Sequence, residues 1–206
     1  MFKKIFVTGI STDVGKSIVA AIITEALEAD YWKPIQAGDL EHCDSHKVKT
    51  WISNPRSVIY PNQYALKSAM SPHAAAEIDD LKIELHKIQE PQTTNHLVIE
   101  GAGGLLVPLN DTDTILDLIQ PTYKVIVVCR HYLGSINHSL LTLQLLIQKG
   151  FEVSVIFNGN KNQATESIIQ KMTGVNVIGR INEEAFFDKK VIKKYADLFK
   201  KCLFKL

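Results

Sequence analysis

The chain has 206 residues, of which 46% are hydrophobic and 22% charged, and its formal net charge is +1. That length suits one domain, 1–206, with a sizeable core, and a near-neutral charge supplies no broad basic field for nucleic acid. Three scattered cysteines (Cys43, Cys129, Cys202) argue against a zinc site or disulfide framework, and no run approaches the roughly 20 apolar residues of a membrane span.

In chain order, Ile5–Thr8 reads as a strand and leads straight into Gly9-Ile10-Ser11-Thr12-Asp13-Val14-Gly15-Lys16-Ser17. The short apolar start is therefore a strand rather than a signal peptide, and reduced thiols fit a cytoplasmic protein. A helix is expected over Ser17–Glu28, a strand over Tyr31–Ile35 and a helix over Asp44–Ile52. Pro55–Met70 is loop-rich, with Pro55 and Pro61 as breakers. Helices follow at Ser71–Ile78, with Pro72 in the first turn, and at Leu81–Gln89. His96–Glu100, Val125–Arg130 and Glu152–Asn158 are short apolar strands. Helices fill Ser135–Lys149 and Gln163–Met172, and Val175–Ile181 is the last strand. Asp188 to Leu206 reads as an amphipathic helix whose apolar stripe packs on the domain. Repeated β-α alternation implies a three-layer α/β/α fold with a mostly parallel, doubly wound sheet.

Ligands of such sheets bind at the carboxyl ends of the strands. Polar and glycine residues gather there after five strands: Gly9–Ser17, Lys33 to Asp39, Glu100–Gly104, Arg130 to Gly134 and Asn158–Asn160. The first group is a phosphate loop. Backbone N–H groups curl around phosphates at a helix N-terminus, Lys16 reaches the β/γ-phosphates, and the Ser17 hydroxyl can ligate Mg²⁺. Its spacing is unusual, with five residues between Gly9 and Gly15. Glu100 ends an apolar strand, where a phosphate-loop protein needs an acidic partner for Mg²⁺. The glycines of Gly101-Ala102-Gly103-Gly104 let a ligand approach the backbone. Asp44 is either a helix cap or a second carboxylate for the metal. Lys33 is either a surface charge or a cation aimed into the crevice. Asn158 suits an adenine edge or a plain turn. His73 and His138 read as structural histidines, with no triad or metal pair around them.

Together these segments closely resemble the dethiobiotin synthetase family. The matching pieces are Phe6-Val7-Thr8-Gly9, Thr12-Asp13-Val14-Gly15-Lys16-Ser17 and Trp32-Lys33-Pro34-Ile35. Ser71-Pro72-His73, Glu100-Gly101-Ala102-Gly103-Gly104 and Leu133-Gly134-Ser135-Ile136-Asn137-His138 complete the set. They span residues 5 to about 160 in the family's order, and the last forty-five residues match only loosely. The resemblance implies a P-loop NTPase-type ligase that closes the ureido ring of dethiobiotin from 7,8-diaminononanoate and CO2, with ATP and Mg²⁺. It implies a homodimer with the substrate site at the interface, and no nucleic-acid or membrane partner.

By the same resemblance Lys33 and Lys16 are catalytic. The nucleotide is held by Asp13, Val14, Gly15, Lys16, Ser17, Ile18, Asp44, Glu100, Gly101, Ala102, Gly103, Asn158, Gly159 and Asn182. Mg²⁺ falls to Ser17, Asp44 and Glu100. The diamine falls to Ala37, Ser71, Gly134, Ser135 and Asn137. Three positions depart from the family pattern: Ala37 stands where Ser or Thr is usual, Ser17 where Thr is commoner, and Asn182 follows Ile181 where proline is common. The competing class is a ParA/MinD-like ATPase switch, which carries a second lysine five positions before the Gly-Lys lysine; here that position is Ser11.

Overall fold

The computed structural model describes residues 2–206. Its elements are β1 (Lys4–Gly9), α1 (Lys16–Leu27), β2 (Asp30–Trp32), β3 (Ile35–Ala37), α2 (Asp44–Trp51), β4 (Ile59–Tyr60), β5 (Tyr64–Leu66) and α3 (Pro72–Ile78). They continue as β6 (Leu97–Gly104), β7 (Lys124–Arg130), α4 (Ser135–Gln148), β8 (Glu152–Asn158), α5 (Gln163–Thr173), β9 (Asn176–Ile181) and α6 (Lys189–Leu203).

Seven strands form one sheet in the order β4-β2-β6-β1-β7-β8-β9, every pair parallel. β1 sits in the middle. The chain leaves it through α1 toward β2 on one side, and later moves through α4 and α5 toward β8 and β9 on the other. Right-handed crossovers running in opposite directions place their helices on opposite faces. α1, α2 and α6 accordingly pack together, and α4 packs with α5. The direction reverses between β1 and β7, which is where a doubly wound sheet opens its binding crevice.

The strands read as nearly unbroken apolar runs because helices cover both faces: Ile5, Phe6 and Val7 are buried in β1, and Val125 to Cys129 in β7. α1 is buried almost all round, since α2 and α6 cover the side that a surface helix would show to water. α6 keeps the amphipathic form: Ile192, Tyr195, Ala196, Phe199 and Leu203 are buried while its lysines face out, and the Asp188 side chain accepts from the Val191 N–H at 2.8 Å.

Three local readings change. The expected strand Tyr31–Ile35 is two strands, because Pro34 has no N–H for the ladder; β2 stays in the main sheet while β3 pairs with β5 in a small second sheet. The loop-rich stretch 55–70 therefore contains β4 and β5. Leu81–Gln89 is not an α-helix, and only Leu85–Lys87 makes a 3₁₀ turn. Asp80 in the left-handed region closes α3, Pro91 follows, and of the intended stripe only Ile83 is buried while Leu81 is exposed. A short segment with so little to bury does not offset the cost of nucleating a helix. Finally, the strand expected over His96–Glu100 runs on through Gly104.

Candidate active site

The register of the central strands sets the site. β2 pairs with β6 through Trp32 opposite Ile99, so Lys33 leaves β2 abreast of Glu100. β1 pairs with β6 through Val7 opposite Glu100, so the phosphate loop begins beside the same carboxylate. Gly15 has φ +96°, and a Cβ there would lie 2.3 Å from Asn158 Nδ2. Glycine is required on both torsional and steric grounds. Asn158, at the end of β8, donates from Nδ2 to the Val14 carbonyl at 2.7 Å and braces the loop from beneath.

Lys16 is buried, and its ammonium donates to the Ser11 carbonyl at 3.1 Å. Burial lowers its pKa to about 8, the nearby Lys33 adding to the fall, against the pull of Glu100 and Asp44. Glu100 is fully buried and accepts three side-chain hydrogen bonds: from Ser17 Oγ at 2.8 Å and Lys33 Nζ at 3.1 Å on Oε1, and from the Tyr31 hydroxyl at 2.8 Å on Oε2. Lys33 also donates to Asp44 Oδ2. Its own burial pulls the Lys33 pKa down, but Glu100 and Asp44 together outweigh that and hold it above the usual lysine range. Burial pushes Asp44 up, and Lys33 reverses this to leave it below the usual carboxylate range. Burial and then the Glu100 charge hold the Tyr31 hydroxyl well above the ordinary tyrosine value, so Tyr31 acts as a donor.

Asp44 is the first residue of α2, after the N-cap position Cys43, and its carboxylate turns to Lys33 and, at 3.7 Å, to Lys47 rather than to its own helix backbone. The helix end is met instead by Gln36, whose Oε1 accepts from the Asp44 N–H at 3.4 Å and whose Nε2 donates to the Gly38 carbonyl at 2.9 Å. Both polar ends of Gln36 are thus engaged with backbone groups.

Lys16, Ser17, Lys33, Gln36, Asp44, Lys47 and Glu100 line one cleft of about 890 Å³. It brings together Asp13, Gly15, Lys16, Ser17, Ile18, Lys33, Ala37, Asp44, Ser71, Glu100, Ala102 and Gly103 from the sequence reading. Val14 and Gly101 are buried behind it. Gly134, Ser135 and Asn137 at the start of α4 do not line it, and neither do Gly159, Asn182 and the buried Asn158, whose amide faces the loop backbone instead. A larger cavity of about 1150 Å³, under residues 82–92 and 110–123, contains none of the expected site residues. Tyr31, Lys47 and Trp51 are site residues the sequence reading missed; Tyr31 was signalled by strand alternation, which puts it on the same face as Lys33.

A buried lysine between two carboxylates is weak support for stability, because desolvation consumes most of the Coulomb gain. Its place at a strand end, facing a phosphate loop, points to chemistry on anions. A family model described as an AAA domain matches residues 3–190. An ATP-dependent dethiobiotin synthetase of Christiangramia forsetii is 55% identical over 98% of this chain and 99% of its own length. One of Cytophaga hutchinsonii is 52% identical over 94% and 95%.

This chain belongs to the ATP-dependent dethiobiotin synthetase family.

The family match extends through the C-terminal residues that the motifs reached only loosely. Solved structures share the synthetase's fold at far lower identity. A ParA family ATPase from Chlorobium tepidum superposes with TM-score 0.63 at 14% identity, covering 98% of each chain. A MinC:MinD complex of Aquifex aeolicus gives 0.61 at 15%, covering 99% of this chain and 96% of that one. Among the described residues no helix is long and apolar enough to cross a membrane.

Proposed function

We propose that residues 1–206 act as one catalytic domain that converts 7,8-diaminononanoate, CO2 and ATP into dethiobiotin, ADP and phosphate, the ring-closing ligase step of biotin synthesis. The observation that carries this reading is the convergence of Lys33, Asp44, Glu100 and Ser17 beside the phosphate loop, in a chain of this family. One amine of the diamine takes up CO2 as a carbamate. The carbamate oxygen receives the γ-phosphoryl of ATP, and the second amine attacks the resulting anhydride, releasing phosphate.

Each step gathers negative charge on carbamate or phosphoryl oxygens. Lys16 faces the phosphates and Lys33 the transferring oxygens, and preorganised cations in a water-poor cleft stabilise such charge without reorganisation. Val14, Gly15, Ile18 and Gly103 shape the wall along the nucleotide. Asn158 holds the loop, and Gly159 and Asn182 lie toward the base.

The donor set fits Mg²⁺: one hydroxyl and two carboxylates, all hard oxygens, on Ser17, Asp44 and Glu100. The Lys33 ammonium bridges both carboxylates and offsets only one of their two charges, which leaves net negative charge for a metal. When bound, the metal would neutralise charge on the β- and γ-phosphates.

Homodimerisation is part of the proposal. Leu133 is 103% exposed in the turn before α4, and Ile136 and Ile147 are exposed on one side of that helix. Covering that face by a second copy would bring Gly134, Ser135 and Asn137 to the neighbouring cleft, where the α4 N-terminus favours a carboxylate, opposite Ala37 and Ser71. Cytoplasmic work with free thiols completes the reading.

The test is phosphate release from ATP and bicarbonate with and without 7,8-diaminononanoate. Diamine-dependent release with dethiobiotin as product is expected; release independent of the diamine would overturn the assignment.

A further inference from the structure

We propose that Trp51 is a nucleotide-binding residue of this chain, its indole closing the base end of the cleft against the segment that follows β9. The inference rests on the assignment of the cleft to ATP. α2 begins with Asp44 at the metal end and finishes with Trp51. At 1.5 Å rise per residue the two lie about 10 Å apart along the helix, comparable with the reach from a nucleotide's terminal phosphates toward its base. Trp51 is half-buried and lines the cleft together with Ile18 and Arg130.

The indole packs on Phe187 with ring centroids 6.4 Å apart and planes at 55°. Phe187 closes the segment 182–188 between β9 and α6. The other side of that segment is fastened at the opposite wall: Glu183 pairs with Arg130 at 3.0 Å, and the Ile181 carbonyl accepts from the Gly159 N–H at 2.8 Å. The segment therefore runs between the ends of β7 and β8 and the end of α2. The phosphate end of the cleft is ionic, lined by Lys16, Lys33, Asp44 and Glu100. Ile18, one residue past Ser17, and Trp51, seven residues past Asp44, add apolar surface to the same cleft. A purine is neutral and flat, and an aromatic side chain is the surface it stacks on.

Replacing Trp51 should therefore cost base-dependent affinity alone. The experiment titrates MgADP and, separately, magnesium tripolyphosphate into the full-length protein by calorimetry, and follows tryptophan emission with ADP. Trp51→Ala is expected to weaken ADP about tenfold, equivalent to about 1.4 kcal/mol, and to leave tripolyphosphate unchanged. Trp51→Phe should retain ADP affinity, and the emission change seen in the wild type should vanish. Equal weakening for ADP and tripolyphosphate would assign Trp51 to packing and overturn the proposal. So would ADP binding with no emission change traceable to Trp51. A wild-type protein that binds neither ligand would overturn the ATP assignment itself, and this inference with it.

Discussion

The Lys33 ammonium lies 3.1 Å from Glu100 Oε1, with the carboxylate fully buried and the lysine nearly so. The same ammonium bonds Asp44, so one cation bridges two carboxylates from different elements. Lys33→Ala is expected to abolish dethiobiotin formation while MgATP still binds by calorimetry. Removing one partner of a buried pair also costs about 3–5 kcal/mol. Mg²⁺ should therefore raise the melting temperature of the variant more than that of the wild type. Unchanged turnover would remove Lys33 from the chemistry.

Glu100→Gln keeps the shape of the side chain but halves the charge facing Lys33. Its expected phenotype is a raised Mg²⁺ requirement. Turnover against Mg²⁺ concentration should shift by about tenfold or more, since one charge-assisted contact is worth roughly 1.5–3 kcal/mol. Full activity at limiting Mg²⁺ would dismiss the ligand role.

Tyr31→Phe removes the donor to Glu100 Oε2 and leaves that oxygen buried without it. A stability loss of about 1–3 kcal/mol is expected in urea unfolding, together with a lower kcat and little change in KM for ATP. Wild-type stability would mean that the bond contributes nothing net.

Lys16 gives a pH signature. Its pKa is lowered to about 8, chiefly by burial, so in the free protein it loses its proton as pH rises through that value. Phosphate groups favour the charged form. Nucleotide binding should then take up a proton, substantially at pH 8.5 and scarcely at pH 6.5, measured by calorimetry in buffers of different ionisation enthalpy. The linkage to stability has the opposite sign to that of Lys33. A lysine whose folded pKa is depressed costs stability below that pKa, and the cost fades as pH rises toward the unfolded value. Lys16→Met should accordingly raise the melting temperature of the free protein at pH 7 while abolishing ATP binding.

Leu133, exposed in the turn before α4, probes the proposed dimer. Leu133→Asp is expected to shift the protein from dimer to monomer in light scattering, with ATP affinity kept and diamine-dependent turnover lost. A wild-type protein that runs as a monomer would overturn the interface.

Much of the molecule was legible in local sequence. Apolar runs marked β1, β7 and β8, because strands buried on both faces must be apolar throughout. Gly15-Lys16-Ser17 marked the loop, because phosphate binding needs a particular backbone and particular side chains within a few residues. Lys33 and Glu100 were visible as charged residues at strand ends. What joined them was register: only the pairing of Trp32 with Ile99 puts Lys33 abreast of Glu100, 67 positions apart. The fold alone puts the Tyr31 hydroxyl on Glu100, and it turns the Asp44 carboxylate to Lys33 rather than to the helix backbone. Leu81–Gln89 failed as a helix because helicity over so short a stretch depends on what the tertiary structure gives it to bury. The sequence by itself determined the doubly wound fold, the phosphate loop and the family. Only the tertiary structure decided which carboxylates share a cation and which surfaces close around the cleft, because those contacts join residues far apart in the chain and depend on strand pairing rather than on local spacing.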